Sequence, residues 1–315
     1  MAAFTRLPDL ALRGYGGAVI AASDESFAEK EALVRPGRPA FQAETFGNKG
    51  QVYDGWETRR RRTPGHDWAI IRLGLPGTVR GVVIDTAWFK GNFPPHASVE
   101  ACEVAGSPSP EELATAEWVE ILPRVDLKGD AEHHFEVHDE GRYTHVRLNM
   151  YPDGGIARLR VHGEVRPDLS LYDGLSLDLA ALANGAVVTG CSNEFYSAPH
   201  NAIAPGLARH QAEGWETARR RDEGNDWIEV RLAGRGVIRL AEIDTTNLLF
   251  NAPGAIRLRG RDGEGDWFDL LPHTSLQPDT PHRFRVGEAR PVTHVRADIY
   301  PDGGLARIRL HGNLA

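Results

Sequence analysis

Three features of the sequence predict an all-β fold of two tandem β-sandwiches. The chain repeats itself: residues 54–68 read DGWETRRRRTPGHDW and residues 213–227 read EGWETARRRDEGNDW. Within a copy the hydrophobic period is two. Arg158, Arg160 and His162 alternate with Ala157, Leu159 and Val161, as a half-buried strand requires. Finally, 34 glycines and 20 prolines punctuate many short segments, and helical periodicity is scarce. At roughly 150 residues per domain, 315 residues suggest two domains. The repeat, about 150–160 residues long, is too large for a solenoid unit and reads as a duplicated domain.

Taken in order, the elements support that assignment. After each Trp-bearing motif comes a matching apolar stretch. It runs from Ile70-Ile71-Arg72-Leu73 to Val83-Ile84-Asp85-Thr86, and again from Glu229-Val230-Arg231-Leu232 to Glu242-Ile243-Asp244-Thr245. Val82-Val83-Ile84 is short and β-branched and reads as a deeply buried strand. Pro110-Glu111-Glu112-Leu113-Ala114 is the best short helix candidate. Thr144-His145-Val146-Arg147 leads to Tyr151-Pro152-Asp153-Gly154-Gly155, and Thr293-His294-Val295-Arg296 leads to Tyr300-Pro301-Asp302-Gly303-Gly304. Pro-Asp-Gly-Gly is a turn signal, because Pro fixes one φ and Gly permits positive φ. Each copy is therefore expected to be an antiparallel jelly-roll sandwich. Residues 1–165 form the first, 166–173 a linker and 174–315 the second.

Composition narrows the function classes. Hydrophobic residues at 41% and charged residues at 25% match soluble globular proteins, and no apolar run is long enough to span a membrane. A net charge of −8 argues against nucleic acid as a partner, while leaving room for a small anion in a locally basic pocket. Cys102 and Cys191 are too few for a disulfide framework. The opening residues lack the apolar core of a secretory signal, and Gly312-Asn313-Leu314-Ala315 is no peroxisomal signal, so a cytoplasmic location is expected.

GWETRRRR followed by GHDW, then VVIDT, then Lys90-Gly91-Asn92-Phe93-Pro94, and finally YPDGG and the Arg158–Gly163 strand together resemble allantoicase. The resemblance spans nearly the whole chain in both copies. It implies a pair of galactose-binding-like jelly-roll domains, a homo-oligomer, and hydrolysis of allantoate to ureidoglycolate and urea. No organic cofactor is implied, since the reaction needs no redox step or electron sink. A non-catalytic galactose-binding-like ligand-binding protein is the alternative, and a ureide enzyme that releases ammonia a third reading. Fold alone does not separate them.

Allantoate carries a carboxylate and two ureido groups on one carbon. Its cleavage asks for a cationic clamp, an acid for the leaving nitrogen and a base. Within Arg59-Arg60-Arg61-Arg62, Arg60 and Arg61 are the preferred clamps, because both recur as Arg219 and Arg220 and a guanidinium grips a carboxylate bidentately. A solvated turn whose arginines pair with Asp54 and Glu57 is the plainer reading of the same run. His66 is the candidate proton mover, and Asp85, a carboxylate at the end of an apolar strand, is the candidate base. Lys49, Lys90, Asn92 and Tyr151 complete the expected substrate site. Copy two has Ala218 for Arg59, Asn225 for His66, Leu249 for Lys90 and Phe250 for Gly91, and counting back places Ala208 against Lys49. The functional site is therefore expected in the first copy. His133, His134 and His138 are the only cluster that suggests a divalent metal, with no ligand spacing to support it. Asp67 and Asp153 are expected to fix loops, and Trp56, Trp68, Trp215, Trp227, His145 and His294 to pack.

Overall fold

The computed structural model describes residues 2–41 and 43–315. It divides into two compact units, one ending at Arg166 and the other beginning at Pro167. Each is an antiparallel jelly-roll sandwich. In the first unit the strands are β1 (Ala18–Ala22), β2 (Asp67–Asp85), β3 (His96–Cys102), β4 (Val119–Asp126), β5 (Glu132–Glu136), β6 (Tyr143–Tyr151) and β7 (Arg158–Val165). The second repeats them as β8 (Val187–Cys191), β9 (Asp226–Asp244), β10 (Ala255–Arg261), β11 (Phe268–Ser275), β12 (Pro281–Arg285), β13 (Val292–Tyr300) and β14 (Arg307–Leu314).

The long strand β2 makes the sandwich by serving both layers. Its first half pairs with β1 and β6, and β6 continues to β3 and β4. Its second half pairs with β5 and β7. The pairing with β6 slips between Arg72 and Gly77, where the strand passes from one layer to the other. Glycine is required at this corner. A Cβ on Gly74 would lie 2.4 Å from Tyr15 O, and one on Gly77 would lie 2.0 Å from Glu164 O. Ile71, Leu75, Val82, Ile84, Leu148, Met150, Leu159 and Val161 fill the space between the layers and are all buried. The expected strands at Val82–Ile84 and along Arg158–His162 lie in β2 and β7, and the helix α1 spans Pro110–Ala114. It carries a capping box, Ser109 Oγ accepting from Glu112 N–H while the Glu112 side chain accepts from Ser109 N–H.

The two copies do not keep one offset. Ala18 and Val187, 169 apart, hold the same register against β2 and β9, whereas the bridges of Trp56 and Trp215 are 159 apart and Tyr151 and Tyr300 149 apart. The first copy thus carries two insertions, one before Asp54 and one around α1. Its first insertion holds a hairpin, Phe46–Gly47 against Gly50–Gln51, with Asn48 and Lys49 at the turn. This corrects the pairing of Lys49 with Ala208. Ala208 O accepts from Asn247 Nδ2 at 2.9 Å, the place taken in copy one by Pro39 O, which accepts from Trp88 Nε1 at 3.1 Å. Lys49 has no counterpart in copy two.

Candidate functional site

At one end of the first sandwich, loops converge on the two-residue strand Trp56–Glu57. Phe27 and Ala28 N–H both donate to Glu57 O, Thr58 N–H donates to Gly154 O, and Trp56 Nε1 donates to Asp24 O at 2.8 Å. Gly155 N–H donates to Asn92 O at 2.8 Å, bringing in the Lys90–Pro94 loop. Two clefts open here and share Phe27, which is 47% exposed. One, of about 410 Å³, is lined by Ala28, Glu29, Arg35, Lys49, Tyr53 and Gly55 among others. The other, of about 620 Å³, is walled by Ser23, Asp24, Arg59–Arg62 and Asp67.

The arginine run divides into different roles. Arg61 is a loop pin: its N–H donates to Asp153 Oδ2 at 2.8 Å and its Nη1 to buried Asp67 Oδ1 at 2.7 Å. Arg220 repeats this with Asp302 and Asp226. Arg60 is exposed, lines the cleft and makes no ion pair among the described residues. Neither Asp54 nor Glu57 neutralises the run. Asp54 pairs with Arg158 at 2.6 Å and with Arg35 at 3.4 Å. Burial works against it, but these cations hold its carboxyl below the usual range. Lys49 Nζ donates to Glu25 O at 2.9 Å and stands 3.9 Å from Glu29.

Glu57 was not among the sequence candidates, although its recurrence as Glu216 was visible. Glu57 itself lines none of the clefts; its partner Ala28 and the preceding Gly55 line the first, and a Cβ on Gly55 would meet the buried Phe89 ring at 2.6 Å. Asn92 Nδ2 donates to Glu57 Oε1 at 2.5 Å. Burial raises the Glu57 carboxyl above its ordinary pKa, and the Asn92 hydrogen bond opposes that only in part. In copy two, Glu216 is gripped on both oxygens, by Gln211 and by Asn251. Gln211 lies in a short 3-10 turn, Gln211–Glu213, for which copy one has instead the inserted hairpin and the segment after it. The insertion thereby leaves Glu57 Oε2 without a protein partner among the described residues.

The remaining sequence candidates lie elsewhere. Asp85 is buried at the end of β2 and lines none of these clefts. Its Oδ1 accepts from Ala87 N–H at 2.8 Å, and Asp244 caps Thr246 at the same distance. Lys90 is exposed, 3.9 Å from Asp130, and Asn92 acts by holding Glu57. His66 and Tyr151, with ring centroids 4.6 Å apart, lie together in a third cleft of about 350 Å³, with Trp68, Ser98, Glu100, Arg147 and Asn149. Asp67 faces Arg61 whereas His66 and Trp68 face that cleft, so the strand start separates His66 from the arginine run. The histidine cluster does not converge either. His133 Nε2 accepts from Lys128 N–H, its Nδ1 faces Ile84 O at 3.0 Å, and His282 is held in the same way by Gln277 and Ile243. Among the described residues no group of three or more His, Cys, Asp or Glu stands where it could hold a metal.

Similarity to known proteins agrees with this duplicated architecture. The family model described as the allantoicase repeat matches twice, over residues 8–166 and 177–315. A probable allantoicase of Nocardia farcinica is 57% identical over 99% of this chain and 95% of its own length. One from Streptomyces avermitilis is 51% identical over 99% of this chain and 86% of its own. The crystal structure of allantoicase from Saccharomyces cerevisiae superposes with a TM-score of 0.81 at 34% identity, covering 98% of this chain and 93% of that one. Matched in both repeats and along its whole length, the chain belongs to the allantoicase family.

Proposed function

We propose that the protein hydrolyses allantoate to ureidoglycolate and urea, in purine degradation, and that the reaction takes place at the loop end of the first unit. Family membership supports the reaction. The observation that supports the placement is an unpaired guanidinium, Arg60, lining one cleft, three residues after a half-buried carboxyl, Glu57, that lines neither cleft and is held by Asn92. Burial raises the Glu57 carboxyl above its ordinary pKa, which suits an acid catalyst, though buried Asp85 is raised in the same way.

In this reading Arg60 binds the substrate carboxylate through its fork of donors, and Lys49 adds a second cation across the shared Phe27 wall. Protonated Glu57 donates to the nitrogen of the departing ureido group as that C–N bond breaks. The lone pair of the retained ureido nitrogen forms the C=N bond that replaces it, and urea leaves. Water then adds to the same carbon, and its proton returns to Glu57, regenerating the acid. Allantoate and water become ureidoglycolate and urea, with one carboxyl serving both steps. Asn92 is a positioning residue, keeping Glu57 Oε1 fixed so that Oε2 meets the substrate. Every proton transfer is assigned to the chain's own side chains, so no metal or organic cofactor is used.

The reading includes a cytoplasmic, homo-oligomeric enzyme. Its support is that Cys102 and Cys191 are both free thiols and that Leu207, Leu249 and Phe250 stand 82%, 58% and 93% exposed on the second unit. No helix among the described residues is long and apolar enough to cross a membrane. The test is product analysis of chelator-treated protein incubated with allantoate, with urea, ureidoglycolate and ammonia assayed separately. Equal amounts of urea and ureidoglycolate are expected. Ammonia in their place, or no turnover, overturns the reading.

A further inference from the structure

The third cleft, lined by His66, Trp68 and Tyr151, also takes in Ser98, Glu100, Glu120, Arg147 and Asn149. Its floor is built around Asn149, which is only 3% exposed. Asn149 Nδ2 donates to Glu100 Oε2 at 2.8 Å and to Ser98 Oγ at 3.2 Å. A carboxylate only accepts, so the Glu100 contact fixes which way the amide points. Asn149 Oδ1 is then left buried with no hydrogen-bond partner. Such a vacant acceptor costs free energy until a donor reaches it; Asp9 Oδ2, Asp67 Oδ2 and Asp226 Oδ2 also lack a hydrogen-bond partner, but none of them belongs to this cleft.

The second unit shows the same place closed. Asp298 stands at the position of Asn149 and is 2% exposed. It accepts from Arg259 Nε at 2.9 Å, from Arg296 Nε at 3.0 Å and from Asn225 Nδ2 at 3.4 Å. Its acceptors are used internally, whereas those of the first unit are not. Arg147 spends its Nε on Glu100 Oε2 at 2.7 Å, and its guanidinium lies 4.6 Å over the Trp118 ring. Its terminal nitrogens make no hydrogen bond among the described residues, nor does Glu100 Oε1. Arg124 lies 4.5 Å over the Tyr151 ring, so Glu100 and Glu120 are balanced by Arg124 and Arg147 and nothing selects an ion.

We propose that this cleft is a second binding site, separate from the hydrolytic one, for a neutral ureide or amide group. Asn149 Oδ1 and Glu100 Oε1 accept its N–H groups, the terminal nitrogens of Arg147 donate to its carbonyl oxygen, and the planar group lies against Trp68, the Tyr151 ring being covered by His66 and Arg124. Two acceptors and one cationic donor beside a flat ring are the complement of a ureido group.

The test uses the full chain with N-methylurea as the neutral ureide, D-galactose as a neutral polyol and acetate as an anion, each followed by calorimetry and by tryptophan fluorescence. Saturable binding of N-methylurea is expected. Asn149→Leu and Glu100→Gln should each weaken it about tenfold, the loss of about one hydrogen bond to a charged or buried partner. Because the proposal uses no step of the hydrolase reading, the Asn149→Leu variant should turn over allantoate at the rate of the parent. Binding of galactose or acetate in preference to N-methylurea overturns the ligand class. N-methylurea binding untouched by both substitutions, or absent altogether, overturns the site. Loss of allantoate turnover together with N-methylurea binding in Glu100→Gln, with the melting temperature retained, overturns its separateness.

Discussion

Glu57→Gln isolates the proton that the proposed chemistry requires. Gln is isosteric with Glu, and its carbonyl oxygen can accept the same bond that Asn92 Nδ2 gives Glu57 Oε1. The partner strand contacts are all backbone, from Phe27 and Ala28 to Glu57 O and from Glu57 N–H to Ala28 O, so the loop should stay in place. What disappears is an acid worth about 10²–10⁴-fold in rate, or roughly 3–5 kcal/mol of barrier. The loss should fall on kcat with KM little changed, since Arg60 still holds the carboxylate. The pH profile provides a second reading. Burial raises the Glu57 pKa, so the acid form persists above the ordinary carboxylate range and kcat falls as pH rises through the raised value. Glu216→Gln, in the copy whose carboxyl is locked on both oxygens, should turn over normally. Urea release followed over a pH series for the parent and both variants decides the matter. A Glu57→Gln enzyme with more than a tenth of the parent kcat, or with an unchanged alkaline limb, refutes the assignment.

Arg60→Ala should raise KM for allantoate about 10–100-fold, the loss of a charge-assisted contact, with Arg60→Lys intermediate; steady-state kinetics of the three proteins tests this. Arg61→Ala should act on stability instead, because it leaves the 1%-exposed Asp67 without its cation. Discounting for the Arg61 side chain, which is 26% exposed, about 2 kcal/mol is expected in denaturant unfolding. Asp85→Asn should keep the cap on Ala87 and retain activity within about twofold. Since burial raises the Asp85 pKa, ionisation opposes folding as pH climbs from the unfolded value through the folded one. The Asn variant should therefore melt at or above the parent temperature at neutral pH. His145, buried and beside the Arg72 charge, has its pKa pushed down to about 4. Its neutral form is the native one, so stability is full above about 6.5 and is lost on acidification towards 4, by on the order of 3 kcal/mol. Unfolding midpoints of the parent and His145→Gln between pH 7 and 4.5 should converge on the acid side.

Much of the fold was legible because strand burial writes itself into sequence with a period of two. The alternation in Arg158–His162 and the apolar run Val82–Ile84 needed no tertiary knowledge, and the Ser109–Glu112 cap with Pro110 marks a helix locally. The site was less legible for identifiable reasons. Lys49 was set against Ala208 by counting with one offset, although Pro36-Gly37 and Pro205-Gly206 already stand 169 apart and betray the insertion. The same alternation that found the strands separates His66 from Asp67, and hence from Arg61. Glu57 was hidden by its neighbours: a carboxylate before four arginines invites pairing with them, and only the backbone path sends it to Asn92. Nor does residue type distinguish an unpartnered Asn149 from a satisfied one, because that depends on Ser98 and Glu100, about fifty residues away in sequence.

The duplication supplies its own control for these assignments. A side chain kept in both copies with the same bonds, such as Arg61 with Arg220 or Asp85 with Asp244, is explained by the fold that the copies share. Function should instead appear where one copy leaves open what the other closes. Glu216 is held on two oxygens and Glu57 on one; Asp298 is saturated by Arg259, Arg296 and Asn225, and Asn149 keeps a vacant oxygen. Both openings fall in the first unit, and the first arises where the insertion replaces the Gln211 side of the wall. Transplanting closure should therefore silence a site without unfolding it. Val52→Gln, which offers an amide two residues before Asp54 as Gln211 stands two before Glu213, should lower kcat while leaving the melting temperature unchanged or raised. A Val52→Gln enzyme with parental kcat and a parental pH profile would show that the unoccupied oxygen of Glu57 has no part in the reaction.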